Sequence, residues 1–138
     1  ALPPVLADES LLQQVLVNIL LNAAQASPPG GSITVTTRAG NGAEAWKGDH
    51  VVGRVFQPGE PTVAIAVSDS GPGIPREHLE RIFEPFFTST ATGTGLGLYL
   101  CRELCEYNQA RINHVPSRHG AIFRIRFRGR TTPTTTAR

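Results

Sequence analysis

Between Leu11 and Ala24 the apolar residues Leu11, Leu12, Val15, Leu16, Ile19, Leu20, Ala23 and Ala24 recur at helical spacing, the tightest constraint on what this chain can fold into. Asp8 precedes the run as an N-cap and Ser27-Pro28-Pro29-Gly30-Gly31 stops it. The spacing therefore predicts one long helix with an apolar stripe that needs a second layer to cover it. Bordering the stripe, Gln14, Asn18 and Asn22 fall at i, i+4 and i+8 and stack three amides into a polar line. Asparagine is a poor helix former because its side chain competes for the backbone, so two of them in mid-helix call for a reason other than helix stability.

The second layer lies downstream. Ile33 to Thr37 is a short β-branched strand, and Arg38 to Pro61 reads as a long loop or irregular hairpin with a strand at Val51 to Phe56. Thr62 to Asp69 alternates cleanly, with Val63, Ile65, Val67 and Asp69 on one side and the small Ala64, Ala66 and Ser68 on the other, which suggests that both faces are covered. After the turn Ser70-Gly71-Pro72-Gly73, a short helix from Pro75 to Ile82 leads to the aromatic residues Phe83, Phe86 and Phe87. A run of Thr, Ser, Ala and Gly from Thr88 to Gly93 precedes Gly95-Leu96-Gly97 and a second helix ending near Tyr107. Ala110 to Val115 and Ala121 to Arg128 form a closing hairpin, and the tail from Thr131 to Arg138 is too poor in apolar residues to order itself. This order implies an α+β fold, a two-layer sandwich of one mixed, mostly antiparallel sheet with helices on one face. At 138 residues and 40% hydrophobic content there is material for one such core, so residues 1–130 are expected to form one domain with one site.

Charge and cysteine usage narrow the function classes. Thirteen basic against 11 acidic residues leave a net charge of +2, too slight to argue for nucleic acid or an anionic membrane. Arg124, Arg126 and Arg128, with Arg130 beyond them, are expected to line a solvated strand face. No run of apolar residues is long enough to span a bilayer and no signal-peptide pattern is present, so no direct membrane contact is expected of this piece. Methionine is absent even at position 1, which leads us to expect an excised or processed part of a longer chain. Cys101 and Cys105, one helical turn apart and without a second ligand pair, read as small core residues in a reducing compartment rather than a zinc site. His50, His78, His114 and His119 are expected at the surface or in loops.

Three local features carry chemistry. Asp69 continues an inward-facing register, so its carboxylate reaches the edge of the core and needs a hydrogen-bond donor there; Gly71 and Gly73 then remove side chains where a flat ligand could lie on the backbone. Gly93, Gly95 and Gly97 alternate just before an apolar-periodic helix, an arrangement that offers backbone N–H groups and a positive helix end to phosphate. It is not a P-loop, since no Lys-Ser/Thr follows, and it lacks the Rossmann spacing. Asn22 offers a neutral oxygen from a rigid helix, suited to Mg²⁺ that keeps most of its waters and bridges phosphates. Singly, these features are equally an Asp-Ser-Gly turn, a glycine hinge and a helix amide bonded to a strand; the specificity lies in their combination.

That combination resembles the nucleotide-binding fold shared by histidine kinases, type II topoisomerases, heat-shock 90 chaperones and mismatch-repair ATPases, the GHKL superfamily with its Bergerat fold. The N box is matched by Asn18-Ile19-Leu20-Leu21-Asn22-Ala23-Ala24, the first glycine box by Asp69-Ser70-Gly71-Pro72-Gly73-Ile74, the F box by Phe83-Glu84-Pro85-Phe86-Phe87, and the second glycine box by Gly93-Thr94-Gly95-Leu96-Gly97-Leu98. The four boxes stand in order, and the resemblance covers Asp8 to Phe127. The short segment between Phe87 and Gly93, with the run from Arg102 to Ala110, is similar to nitrogen-regulation and type IV pilus sensor kinases.

The resemblance implies roles. Asn22 would hold Mg²⁺ on ATP, and Asn18 and Asn22 would be the catalytic residues of the N box. Asp69 would accept from the adenine amino group, Gly71, Gly73 and Ile74 would line the adenine pocket, and Gly93, Gly95 and Gly97, with Thr94, Leu96 and Leu98, would wrap the phosphates. Thr88 to Thr92 would be an ATP lid. Hydrolysing branches carry a glutamate where this chain has Asn18, so the implied activity is that of a histidine kinase, an ATP:protein-histidine phosphotransferase. Its nucleophile would sit on a separate histidine-bearing dimerisation domain, its product would pass to the receiver domain of a response regulator, and its location would be the cytoplasmic side of a membrane-anchored sensor. The sequence departs from the pattern where many relatives carry a basic residue at Gln25, a lysine at Thr90 and an aromatic at Ala26. Gln25 and Arg81 are left as the candidates for contacting phosphates, and a modest nucleotide affinity is expected. An anti-sigma-type serine kinase of the same fold and a degenerate nucleotide-binding scaffold module are the alternatives.

Overall fold

Helix α1 (Glu9–Ala26) starts where the sequence places its cap: Asp8 accepts from the Leu11 N–H at 3.1 Å, and Ser27 closes the other end by donating its N–H to the Ala23 carbonyl at 3.0 Å. The computed structural model describes residues 2–42, 51–54, 56–88, 95–115 and 117–130, with the backbone alone at 51–53. Five strands, β1 (Ile33–Gly40), β2 (Val51–Gly53), β3 (Thr62–Asp69), β4 (Arg111–Val115) and β5 (Ile122–Arg128), form one sheet in the order β1-β3-β5-β4-β2, every neighbouring pair antiparallel. Helix α2 (Gly97–Tyr107) packs beside α1.

The apolar stripe of α1 buries Val15, Ile19 and Ala23, and that of α2 buries Cys101 and Cys105. Across from them the inner sheet face supplies Val67, Ile112, Phe123, Ile125 and Phe127, and Ile82 and Phe83 seal the edge of the same core. Each large apolar side chain taken fully out of water contributes about 1.5–3 kcal/mol, which makes this interface the main source of stability. The polar line takes the intermediate position: Asn18 and Asn22 are half-buried and Gln14 is exposed.

Pairing moves the strand ends. β1 runs three residues past Thr37 because β3 offers it ladder partners as far as Gly40 opposite Thr62, so tertiary pairing outweighs the weak propensity of Arg-Ala-Gly. β2 is shorter than Val51 to Phe56. The short helix after the first glycine turn is a 3₁₀ helix, Arg76–Arg81. Residues 43–50 of the expected loop, and the whole tail from Thr131, lie outside the described residues.

Two expectations about polar residues are corrected. The arginine face of β5 is not freely solvated: Arg126 is only 5% exposed, and Arg124 and Arg128 are half-buried. Cross-strand register sets Arg126 beside Ala64 and Arg124 beside Ala66, and these small residues floor an open groove of about 260 Å³ in which the arginine stems lie along the sheet. His114 is buried rather than exposed, because it follows Ile112 on the inner face, where its ring meets the Phe123 ring at 5.5 Å. No helix among the described residues is long and apolar enough to cross a membrane.

Both cysteines are free and buried as expected, Cys101 donating to the Val15 carbonyl at 3.7 Å. Burial pushes each thiol from 9.0 up to about 12, and for Cys105 the neighbouring Cys101 adds to the shift. The folded state thus holds protons that the unfolded chain releases above pH 9, so this contribution is complete below pH 9 and is lost as pH rises toward 12. Urea unfolding at pH 8 and pH 10.5 should show a loss on the order of 1 kcal/mol per thiol per pH unit that Cys101→Ala and Cys105→Ala each reduce. A pH slope identical in wild type and both variants would contradict the burial argument.

Candidate functional site

At one end of the sandwich the loop after β3 reaches the end of α1, and the second half of α1 reaches the start of α2. Asp69, the last residue of β3, is 8% exposed. The donor that its position demands is supplied twice by backbone: Oδ1 accepts from Gly71 N–H at 2.9 Å and from Ala121 N–H at 3.1 Å. Oδ2 accepts no hydrogen bond among the described residues.

The first glycine box is locked to the end of α1. A side chain at Gly71 would run into the Ala26 carbonyl, so only glycine lets the loop pass under the helix end. Ser70 ties the same joint, donating its N–H to Ser27 Oγ at 3.4 Å and accepting from the Ser32 N–H at 2.8 Å. Gly73 takes φ +82°, and the half-buried Ile74 packs against the core from the loop.

The N box and the second glycine box also meet. Asn22 Oδ1 stands 3.8 Å from where a Cβ on Gly97, the first residue of α2, would lie. The cap residue Leu96 makes no side-chain cap hydrogen bond, and the N–H groups of Gly97 and Leu98, in the first turn of α2, have no intrahelical partner. Leu98 packs on the core and Leu96, half-buried, leads into the helix. Asn18 lies one turn before Asn22, its side chain half-buried beside the Cys101 thiol. A neutral amide oxygen beside the start of a helix could hold an anion that carries a cation. Among the described residues no group of three or more His, Cys, Asp and Glu could hold a metal by itself, so a cation here would need oxygens from a ligand.

The F box closes the far wall. Phe86, at φ +66° and 74% exposed, donates its N–H to the Gly95 carbonyl at 2.9 Å, while a Cβ on Gly95 (φ +73°) would collide with the Phe86 backbone. Phe87 is held between the His78 ring at 5.2 Å and the Arg81 guanidinium at 4.7 Å. Arg81 also pairs with Glu84 at 2.9 Å, so the structure places its charge on the F box. Gln25 is exposed in the last turn of α1 and Thr88 is exposed after Phe87; Gly93 and Thr94 lie outside the described residues. Asn22, Asp69, Gly71, Gly73, Ile74, Gly95, Leu96, Gly97 and Leu98 are therefore gathered around one end of the fold, and Arg81 stands off engaged. Sequence reasoning missed the contribution of Gly120 and Ala121, because a backbone N–H has no residue signature; the one available signal was a glycine immediately before a strand.

The profile of the family described as "Histidine kinase-, DNA gyrase B-, and HSP90-like ATPase" matches residues 7–131. The chain is 39% identical over 121 residues to the sensor protein kinase PilS of Pseudomonas aeruginosa, a match that covers 87% of this chain and 20% of PilS. The chain thus spans about a fifth of that relative's length. Its fold superimposes on the catalytic domain of the histidine kinase ThkA with a TM-score of 0.67 at 31% identity, covering 89% of this chain and 69% of the other. Full-length ShkA, solved in complex with AMPPNP, is similar at a TM-score of 0.68 and 27% identity over 96% of this chain and 25% of ShkA.

Proposed function

The chain belongs to the family of histidine kinase-, DNA gyrase B- and HSP90-like ATPases, and on that premise we propose that it binds Mg-ATP and gives the γ-phosphoryl to a histidine on a separate dimerisation domain of its parent sensor kinase. From there the phosphoryl passes to the receiver domain of a response regulator. One observation carries the choice among family activities: the second half of α1 carries the amides of Asn18 and Asn22 and no carboxylate. An amide does not take a proton from water, and residues 89–94, Ser-Thr-Ala-Thr-Gly-Thr, bring no base either. A water at the γ-phosphate is left without activation. A neutral imidazole needs none: its ring nitrogen forms the P–N bond as the bond to the ADP oxygen breaks.

The domain's own part is to hold and neutralise. Asp69 Oδ2 accepts from the 6-amino group of adenine, and Gly71, Gly73 and Ile74 line the base. The first N–H groups of α2, with Gly93, Thr94, Gly95 and Leu96 before them, receive the phosphates, and Thr88 leads into the lid. The residues present fit Mg²⁺ as a bridging ion: Asn22 Oδ1 would hold it, and it would neutralise phosphate charge. Gln25 brings no charge of its own. For Arg81 to reach a phosphate, its guanidinium must leave Glu84 and Phe87. The complex of ShkA with AMPPNP supports a nucleotide as the ligand, and the match to PilS supports a sensor kinase as the parent; on this reading the domain lies on the parent's cytoplasmic side.

The test is to mix the protein with the histidine-bearing dimerisation domain of a related sensor kinase, γ-labelled ATP and Mg²⁺. Acid-labile, base-stable label on that domain is expected, with little phosphate release by the protein alone. ATP binding without such label would sink the histidine reading, and acid-stable label on a serine would move the chain to the anti-sigma-type branch.

A further inference from the structure

Asp69 is held from two sides by backbone alone. Besides the two N–H groups on its Oδ1, its own N–H donates to the Ala121 carbonyl at 3.0 Å, so the end of β3 and the start of β5 are stapled at the carboxylate itself. Oδ1 fixed by donors from separate segments leaves the side chain no free rotation, and the lone pairs of Oδ2 point one way.

The Ala121 donor is within reach because of the residue before it. Gly120 is buried at φ +68°, and a Cβ there would run into the Asp69 carbonyl oxygen and lie 2.8 Å from Oδ1. Any side chain must push the strand start away from the carboxylate or turn the carboxylate aside. The rest of the turn is pinned: Ser117 Oγ donates to the His119 carbonyl at 2.9 Å and accepts from the His119 N–H at 3.2 Å. Across from it, a Cβ on Gly73 would lie 3.2 Å from the Gly120 carbonyl oxygen, so the two left-handed glycines pack against each other.

We propose that Gly120, through the Ala121 N–H it presents, is a positioning residue for base selection: it aims Asp69 Oδ2 at the amino group of a 6-aminopurine. The proposal rests on the nucleotide reading above. It lies outside all four sequence boxes and acts entirely through Asp69.

The experiment compares ATP with purine riboside triphosphate, which lacks the 6-amino group, by calorimetric titration. Wild type should prefer ATP by about tenfold or more, the worth of one hydrogen bond to a charged acceptor. Gly120→Ala should bring that preference within about twofold. An amide-to-ester exchange at Ala121, made by incorporating lactic acid, removes only the N–H and should do the same; it carries the test alone if Gly120→Ala does not fold. Equal weakening of both nucleotides, with the preference kept in the ester protein, would make Gly120 a turn residue only and overturn the proposal. A flat preference already in wild type would overturn the adenine role of Asp69 and this proposal with it. The two failures are told apart by whether wild type or only the altered proteins lack the preference.

Discussion

Asp69→Asn is expected to weaken ATP binding by about 10- to 100-fold while moving the thermal midpoint by only a few degrees. Asparagine keeps a carbonyl oxygen where Oδ1 stands, so the Gly71 and Ala121 N–H groups retain their acceptor and the joint between β3 and β5 survives. The loss falls on the other atom: in place of Oδ2 there is an NH₂ group, and it faces the amino group of adenine donor to donor. A desolvated hydrogen bond to a charged group, worth about 1.5–3 kcal/mol, is exchanged for a repulsion. Alanine is the poorer choice, since it orphans two donors at a residue only 8% exposed and mixes a folding defect into the binding result. Titration with ATP beside a melting curve decides the matter. An affinity within about twofold of wild type would remove Asp69 from the base pocket.

The contrast between Asp69 and Gly120 shows how far the sequence could be read. Asp69 was visible because a carboxylate in the register of Val63, Ile65 and Val67 is a physical conflict, and a conflict asks for a partner. The partner was hidden because Ala121 donates through its backbone, and nothing in the letters Gly-Ala announces that two segments separated by 52 positions in sequence will touch. Helix α1 was legible end to end since cap, period and stop agree; β1 was legible only to Thr37, because its last residues are held by β3 rather than by their own preference. His114 carries a signal of burial in its alternation with Ile112, whereas Arg126 is buried for a tertiary reason, the room left by Ala64 on the neighbouring strand. The phosphate end was readable as glycine spacing, but the meeting of Asn22 with Gly97 depends on how α1 and α2 cross and could not be derived from either segment.

That meeting is what Asn22→Ala should undo. The variant is expected to lower phosphoryl transfer to the histidine-bearing domain by about 100-fold or more, the usual cost of removing one group that stabilises transition-state charge. Alanine is a better helix former than asparagine and the side chain is half-buried at the edge of the stripe, so α1 should fold at least as well. The decisive measurement needs no catalysis. Wild type should bind ATP more tightly as Mg²⁺ is raised from trace to millimolar levels, because the ion would join Asn22 Oδ1 to the triphosphate; the variant should bind metal-free ATP nearly normally and gain little from Mg²⁺. Linkage requires the two effects to match: whatever the ion adds to ATP affinity through Asn22, ATP adds to affinity for the ion. If the variant keeps the full Mg²⁺ enhancement, the amide oxygen beside Gly97 is not a metal ligand. Its half-burial against the start of α2 would then be a packing contact, and the neutralisation of the phosphates would have to come from the helix N-terminus and from an Arg81 freed from Glu84.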